Sequence, residues 1–272
     1  MPEGDTIFRA ARTLNQALAG RTVTRFDSVF SHLTRVDDTA PLRGRTIERV
    51  DARGKHLLIW FSGDLVLRTH MRMHGSWHVY RPGERWQRPH ADMRIVIATP
   101  EYEAVAFSVP VAELTTARDL ERTAAVRDLG PDILVDEFDL AEVVRRIEAA
   151  PDVEIAEALL DQTVVAGIGN IFKSESLFAA RVNPFAPAGE LSRGDIERVV
   201  DAARRLMRAS ATERTAQFSV YGRAGRPCRR CGTPISRRKQ GEQARVTYWC
   251  ARCQSRRSRD AAKADQRHGR AE

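Results

Sequence analysis

Residues 228–253 read CRRCGTPISRRKQGEQARVTYWCARC and hold all four cysteines of the chain. The cysteines form two CxxC pairs, Cys228 with Cys231 and Cys250 with Cys253, and 18 residues separate the pairs. This spacing is typical of a structural zinc site, in which each pair places two thiolates on one side of a tetrahedral ion. The polar segment between the pairs suits a β-hairpin. We therefore expect these four cysteines to bind a structural Zn²⁺ rather than to form disulfide bonds.

The stretch around the cysteines is strongly basic. Residues 223–272 contain 15 Lys and Arg against 4 Asp and Glu, whereas the net charge of the whole chain is only +8. The positive charge is therefore concentrated on the zinc module, and a small basic zinc module favours contact with nucleic acid. The alternative is a zinc staple that holds the C-terminal part of the chain together and binds nothing.

The composition limits the classes of protein to which this chain can belong. The chain has 272 residues, 42% of them hydrophobic, which is enough for two domains with their own cores. It contains no run of about 18 apolar residues, so the sequence predicts no membrane span. The N-terminus MPEGDTIFRAAR lacks the apolar segment of a signal peptide. We therefore expect a cytoplasmic protein with reduced cysteines, associated with the nucleoid if its partner is DNA.

Hydrophobic periodicity changes along the chain. Residues 6–19 have the spacing of an amphipathic helix, and Gly20 follows as a stop signal. Seven short runs rich in branched and aromatic residues come next, which predicts a sandwich or barrel rather than βαβ units. These runs are 22–30, 46–52, 55–61, 64–71, 76–80, 93–99 and 103–109.

From Asp136 onward the spacing becomes helical, and the VVAGIGN segment (164–170) interrupts it with two glycines. Ser192 and Asp195 resemble a capping box that opens a long final helix. The sequence predicts an α+β protein with a β domain (1–130), a helical domain (131–222), a zinc finger (223–255) and a disordered basic tail (256–272).

The amino end carries an unusual nucleophile candidate. Met before a small residue is normally removed, which would leave Pro2 as a secondary α-amine beside the carboxylate of Glu3. An α-amine has a reference pKa of about 7.7–8.0, well below that of lysine, so more of it is nucleophilic at neutral pH. Such an amine can attack an aldehyde-like carbon and form an iminium ion. The alternative is that proline and an acid simply begin a helix.

Three further polar residues lie where a ligand could contact the backbone or a charged side chain. Lys55 follows Gly54 at the entrance to an apolar strand, and Asn170 begins a helix after two glycines. Arg245 lies between the two CxxC pairs. Each also has an ordinary interpretation: a solvated strand-edge lysine, a plain N-cap asparagine and an exposed hairpin arginine.

Taken together, five segments resemble the formamidopyrimidine-DNA glycosylase / endonuclease VIII family over roughly residues 2–254. They are PEG at the N-terminus, GKHLLI, LLDQTVVAGIGNIFKSESL, YGRAGRPCRRCG and RVTYWCARCQ. The resemblance implies an N-terminal β-sandwich, a helix–two-turn–helix domain and a zinc finger. It also implies excision of oxidised bases from double-stranded damaged DNA, followed by strand cleavage through β,δ-elimination, by an enzyme that acts as a monomer.

The resemblance assigns roles to single residues. Pro2 becomes the Schiff-base nucleophile and Glu3 the general acid/base. Lys55 belongs to the catalytic centre and, with Asn170 and Arg245, holds the phosphates on either side of the lesion. A flipped base requires a firm grip on the backbone, which cations and helix N-termini supply without reading sequence.

A flipped base also leaves a hole that a side chain must fill. The segment HMRMHGSW (70–77) aligns with the void-filling loop of the family, with Met73 as the main wedge and Arg72 and His74 beside it. Without the resemblance, Met73 in a strand-rich stretch would be taken as a core residue.

The branch of the family follows from a short segment. Only ATERTAQFSV (211–220) separates the last helix from Tyr221, which is too short for the lesion-covering loop of the formamidopyrimidine branch. We therefore expect an endonuclease VIII-like enzyme for oxidised pyrimidines and abasic sites. An 8-oxoguanine glycosylase of the same family and a non-catalytic zinc-ribbon protein remain the alternatives.

The chain also departs from the family pattern at its start. Thr6 stands where a second glutamate is usual, and PEGDT replaces the common PEGPE or PELPE. We expect Asp5 to be the N-cap of the first helix.

Overall fold

The computed structural model describes residues 2–212 and 217–255, in two compact units that meet at the Leu134–Val135 bond. None of the helices in these described ranges has the length and apolarity needed to cross a bilayer. The basic tail predicted to be disordered (256–272) lies outside them. The predicted boundary between a helical domain and a zinc finger stays a prediction.

The first unit is a β-sandwich preceded by a helix, as the sequence predicted. Helix α1 (Gly4–Leu18) comes first, and eight strands form two antiparallel four-stranded sheets with the orders β1-β6-β7-β5 and β2-β3-β4-β8. The strands are β1 (Arg25–Ser28), β2 (Ile47–Arg53), β3 (His56–Phe61), β4 (Leu65–His70), β5 (Ser76–Tyr80), β6 (Met93–Ala98), β7 (Glu103–Phe107) and β8 (Val111–Thr116).

The core lies between the two sheets and under α1. Alternate residues of each strand point inward, so Leu57 and Ile59 of β3 meet Ile95 and Ile97 of β6 in one buried cluster. The apolar face of α1 joins this cluster, and its Asn15 side chain accepts a hydrogen bond from the backbone of Val50 at 2.8 Å. This packing fixes the position of α1, and with it that of Pro2 and Glu3 at its start.

The sequence reading missed several elements of this unit. Helix α2 (Ser31–Thr39) is polar except for a few residues such as the buried Leu33, and β1 is shorter than the predicted strand 22–30. Strand β8 and the one-turn helices α3 (Ala117–Leu120) and α4 (Ala124–Arg127) were also missed. These elements are short, and long-range packing rather than local periodicity determines them.

The second unit is helical and ends in a hairpin. Its helices are α5 (Leu140–Glu148), α6 (Ile155–Ala158), α7 (Asn170–Ala180) and α8 (Arg193–Thr212). The predicted capping box at α8 is confirmed, because the Asp195 amide donates to the Ser192 hydroxyl at 3.1 Å and the Ser192 amide donates to the Asp195 carboxylate at 3.2 Å.

The hairpin consists of β9 (Ser236–Gln240) and β10 (Arg245–Trp249), paired in antiparallel register. Phe178 of α7 packs against Ile235, Cys228 and Cys250, so the cysteine module and α7 share a small apolar cluster. The predicted zinc hairpin therefore has its expected position in the chain, directly beside the helix that begins after the glycine-rich segment.

Candidate functional site

The N-terminal pair lies at the first turn of α1. Pro2 is partly exposed, whereas Glu3 is buried with only 1% of its surface accessible. The Glu3 carbonyl accepts the first helical hydrogen bonds from Thr6 at 3.0 Å and Ile7 at 3.1 Å, so Glu3 is the N-cap residue. A carboxylate at a helix N-terminus is favoured by the helix dipole. Removal of Met1 would thus place a secondary amine, on a partly exposed residue, directly beside a buried acid.

The prediction that Asp5 caps α1 is wrong. The helix begins at Gly4, so Asp5 already lies within the first turn, where its buried carboxylate meets the Arg9 guanidinium at 3.3 Å. Thr6 donates a hydrogen bond to Asp5 at 3.3 Å and accepts one from Arg9 at 3.3 Å. The Thr6 hydroxyl therefore takes part in a local hydrogen-bond network with Asp5 and Arg9.

Lys55 lies at the tip of the β2–β3 hairpin. Gly54 precedes it with φ +57°, a left-handed conformation that suits the first position of a two-residue turn. The Gly54 amide donates to Asp132 Oδ2 at 2.6 Å, and the other oxygen of Asp132 accepts from the Leu134 amide at 3.0 Å. Burial raises the pKa of Asp132, while these two amide bonds act in the opposite direction. No local pattern in the sequence indicates this anchor, which holds the turn from 78 residues away.

The loop after β4 presents Met73 to solvent. Met73 is 52% exposed, Arg72 and His74 beside it are exposed, and Met71 is buried. The Gly75 amide closes the loop on the Met71 carbonyl at 2.9 Å, and a Cβ on Gly75 would lie only 2.5 Å from that oxygen. The interpretation of Met73 as a core residue is therefore wrong.

Two histidines behind this loop were missed by sequence reasoning. His56 and His70 lie opposite each other on β3 and β4, with ring centroids 5.0 Å apart. Burial, followed by the charges of Arg72, Lys55 and Arg68, lowers the pKa of His70 to about 4. His70 thus lies beside two cations that the sequence analysis had marked singly, Lys55 and Arg72, and at neutral pH it is uncharged.

In the second unit, Asn170 is tied to the hairpin. It is the first residue of α7, with Gly169 as the N-cap, so the interpretation of Asn170 as a plain N-cap is wrong. Its Nδ2 donates to the Val246 carbonyl of β10 at 2.8 Å. The buried Lys173 donates to Asn170 Oδ1 and to Thr247 Oγ1, both at 2.7 Å. Because an ammonium only donates, this contact fixes which way the Asn170 amide faces.

Arg245 begins β10 next to Val246, so the Asn170 contact brings these two predicted residues to neighbouring positions. Arg245 is partly exposed and lines a cavity of about 640 Å³ with Lys173, Gln162 and Gln243. Its Nε donates to Gln243 Oε1 at 3.3 Å. Arg245 therefore offers a guanidinium to an anionic oxygen at this cavity, and Asn170 holds the strand that Arg245 begins.

The four cysteines form one cluster in which all Sγ atoms lie within 4.8 Å of one another. Sγ atoms bound to one tetrahedral zinc would be about 3.8 Å apart, given a Zn–S distance of about 2.3 Å. The Cys231–Cys250 and Cys228–Cys253 pairs, at 3.4 and 4.0 Å, bracket that value. Hydrogen bonds from Thr233 lower the pKa of Cys231 to about 6. The cluster therefore fits a structural Zn²⁺.

Family models match three successive parts of the chain. They are described as "Formamidopyrimidine-DNA glycosylase N-terminal domain" (residues 1–109), "Formamidopyrimidine-DNA glycosylase H2TH domain" (129–220) and "Zinc finger found in FPG and IleRS" (225–256). The fold itself matches a solved structure of a Lactococcus lactis formamidopyrimidine-DNA glycosylase, described as bound non-covalently to DNA with an AP site. The TM-score is 0.82 at 21% identity, over 94% of this chain and 100% of that one. The class is thus a zinc-finger protein with the fold of a DNA glycosylase.

Curated relatives narrow the class. A Streptomyces coelicolor protein named "Probable endonuclease 8 2" is 41% identical over 94% of both chains. A Mycolicibacterium smegmatis protein named "DNA-(apurinic or apyrimidinic site) lyase Nei2" is 40% identical over 94% of this chain and 99% of that one. The chain therefore belongs to the formamidopyrimidine-DNA glycosylase / endonuclease VIII family of DNA glycosylases and AP lyases, on its endonuclease VIII-like branch.

Proposed function

We propose that the protein is a monomeric, bifunctional DNA glycosylase and AP lyase that removes oxidised pyrimidines from double-stranded DNA and cleaves abasic sites. The observation that carries the proposal is the pairing of a partly exposed Pro2 with a Glu3 that is 1% exposed at the start of α1. Membership of the family supplies the class of reaction. A DNA-binding zinc ribbon without catalysis would account for the basic charge and the cysteines but would make the pairing of Pro2 with Glu3 accidental.

The chemistry follows from the secondary amine. The Pro2 nitrogen attacks C1′ of the damaged nucleotide, the C1′–N bond to the base breaks, and the base takes its electrons and a proton. The Pro2 nitrogen gives up its proton, the C1′–O4′ bond of the sugar ring breaks, and O4′ takes a proton. The resulting iminium ion joins Pro2 to C1′ and draws electrons from C2′. Loss of a proton from C2′ expels the 3′ phosphate, and a second elimination expels the 5′ phosphate. The outcome is a one-nucleotide gap with phosphate at both ends.

Glu3 is the proton carrier of this scheme. It is adjacent to the amine, and its burial keeps bulk water from competing for the protons it moves. Lys55, Asn170 and Arg245 hold the phosphates that flank the lesion, and Met73 fills the space that the flipped nucleotide leaves. The exposure of Met73 at the apex of a closed loop supports that role.

Oxidised pyrimidines are the proposed substrate class because α8 continues to Thr212 and only eight residues, 213–220, lie between it and Tyr221. The test is single-turnover excision from matched duplexes that contain thymine glycol, dihydrouracil or 8-oxoguanine. Faster excision of the two pyrimidines is expected. Faster excision of 8-oxoguanine would move the enzyme to the formamidopyrimidine type of activity.

Replacing Arg245 by Ala should weaken DNA binding and reduce its dependence on salt. Each phosphate contact contributes about 0.9 to the slope of log K against log salt concentration, so the slope should fall by about that amount. Binding of a non-cleavable abasic duplex at several salt concentrations measures it.

Arg145→Ala is the matched control for this change. Arg145 lies on α5 in the same unit and is an exposed arginine paired with Glu142 at 2.7 Å. Its removal should leave the salt slope unaltered. An Arg245→Ala slope equal to that of the wild type would show that Arg245 binds no phosphate.

Removing zinc should abolish the preference for damaged DNA. Asn170 and Lys173 are bonded to β10, so loss of the cysteine cluster releases the strand that they hold. Treatment with a chelator should lower the affinity for damaged DNA to the affinity for undamaged DNA. Zinc content and affinity are measured on the same samples. Added Zn²⁺ should restore the affinity for damaged DNA. Full affinity in the zinc-free protein would contradict the structural role of the ion.

A further inference from the structure

A line of polar side chains crosses one face of the sheet β2-β3-β4-β8. It starts at Glu113 of β8, whose carboxylate accepts two hydrogen bonds from the Arg68 guanidinium on β4, at 2.7 and 3.0 Å. Arg68 is only 8% exposed, and its Nη1 lies 3.2 Å from Nδ1 of His56 on β3. The strand register places Arg68 opposite Glu113, and His56 opposite His70.

The protonation state of His56 follows from its partners. A guanidinium only donates, so Nδ1 of His56 accepts and its proton resides on Nε2. The ring also donates to the backbone carbonyl of Ala125. Burial, with His70 and Arg68 next, lowers the pKa of His56 to about 3. His56 is therefore a neutral ring with both nitrogens hydrogen-bonded, and these bonds fix the position of the ring.

His70 packs against the fixed ring of His56. Its ring meets the His56 ring edge-on, at an interplanar angle of 78°. Nδ1 of His70 accepts a hydrogen bond from the backbone amide of Arg72 at 3.1 Å. The donor is an amide, so Nδ1 carries no proton and the ring presents Nε2–H on its other side.

The amide that His70 holds belongs to a strained residue. Arg72 has φ +50°, in the left-handed region that residues with a Cβ adopt only when their surroundings enforce it. Arg72 is followed by Met73 at the exposed apex, and the Gly75–Met71 bond at 2.9 Å closes the other side of the loop. Two hydrogen bonds therefore set the shape of the loop, and one of them ends on His70.

We infer that His70 is a positioning residue for Met73. Its Nδ1 latches the backbone of Arg72 in the left-handed conformation, and the Glu113–Arg68–His56 line holds the ring in place. The inference rests on the proposed function, because it requires Met73 to fill the space left by a flipped nucleotide. This hydrogen bond, the latch, holds the exposed and flexible Met73 in position before DNA binds. Less conformational entropy is then lost on binding.

Two isosteric substitutions of His70 distinguish this latch from a direct contact between Nε2–H of His70 and a DNA phosphate. The amide oxygen of asparagine can take the place of Nδ1, whereas glutamine places its amide near Nε2. His70→Asn therefore keeps an acceptor for the Arg72 amide, and His70→Gln keeps a polar group on the other side of the ring. His70→Ala removes both, and His78→Asn, at a half-buried histidine of β5, controls for histidine replacement in general.

The experiment measures dissociation constants for a duplex with a tetrahydrofuran abasic analogue. It uses 2-aminopurine opposite the analogue, so that fluorescence reports insertion of Met73. We expect His70→Ala and His70→Gln to raise Kd about tenfold and to lose the fluorescence change. His70→Asn and His78→Asn should stay close to the wild type. In a Met73→Ala background, His70→Ala should have no further effect.

The inference is overturned if His70→Gln restores binding and His70→Asn does not, or if the effects of His70→Ala and Met73→Ala multiply. Thermal unfolding of each variant identifies any loss due to misfolding, and the Asn and Gln variants, which differ by one methylene, keep the comparison valid if His70→Ala is unstable. Failure of the proposed function gives a different result. In that case the wild type itself would form no borohydride-trapped adduct with abasic DNA.

Discussion

Glu3→Gln is expected to slow base removal by about 100-fold or more while leaving affinity for damaged DNA nearly unaltered. Glu3 is 1% exposed at the N-cap of α1, and glutamine has the same shape without a transferable proton. The packing of α1 should therefore persist while proton transfer is lost. Single-turnover excision of thymine glycol gives the first quantity, and binding of a tetrahydrofuran duplex gives the second.

Asp5→Asn is the matched control, because Asp5 is a second buried carboxylate in the same helical turn and is paired with Arg9. It should affect the free energy of unfolding more than excision. Parallel loss of binding and excision in Glu3→Gln would assign Glu3 a structural role. Excision by Glu3→Gln at the wild-type rate would remove it from the mechanism.

Blocking the Pro2 amine should abolish both excision and strand cleavage. A form that retains Met1 buries the Pro2 nitrogen in a tertiary amide, which has no lone pair available for attack on C1′. Pro2→Gly should keep a small remnant of activity, because glycine at the N-terminus still offers a primary amine. Cleavage of an abasic duplex, followed in single-turnover kinetics, measures both variants.

These two Pro2 variants also control for each other. Glu3, Lys55 and the second unit are unaltered in both, so DNA affinity should remain in the wild-type range. Equal activity of the Met1-retaining form and the wild type would exclude the N-terminal amine as the nucleophile and direct attention to a lysine side chain.

Much of the fold follows from the sequence because its determinants are local. Short runs rich in branched and aromatic residues, KHLLIWF and DLVLRTHM, predicted β3 and β4, and the Ser192–Asp195 pair predicted the start of α8. Two CxxC pairs predicted a cysteine cluster at the hairpin. The family resemblance supplied Pro2 and Glu3, which periodicity alone would have assigned to an ordinary helix start.

The supporting contacts could not be predicted, because each joins residues that are distant in sequence. Asp132 holds the turn before Lys55, and Thr247 bonds to Lys173 over 74 positions. The Glu113–Arg68–His56 line depends on the register of three strands, which no local pattern specifies. The N-cap of α1 was misplaced by two residues, since aspartate is favoured both at the cap and in the first turn.

In the proposed mechanism, the N-terminal proline forms the covalent bond to DNA. Borohydride reduction during reaction with an abasic duplex, followed by proteolysis and mass spectrometry, locates the trapped sugar on one peptide. We expect the adduct to lie on the peptide that begins with Pro2. An adduct on Lys55, on any other lysine, or on no peptide at all would contradict it.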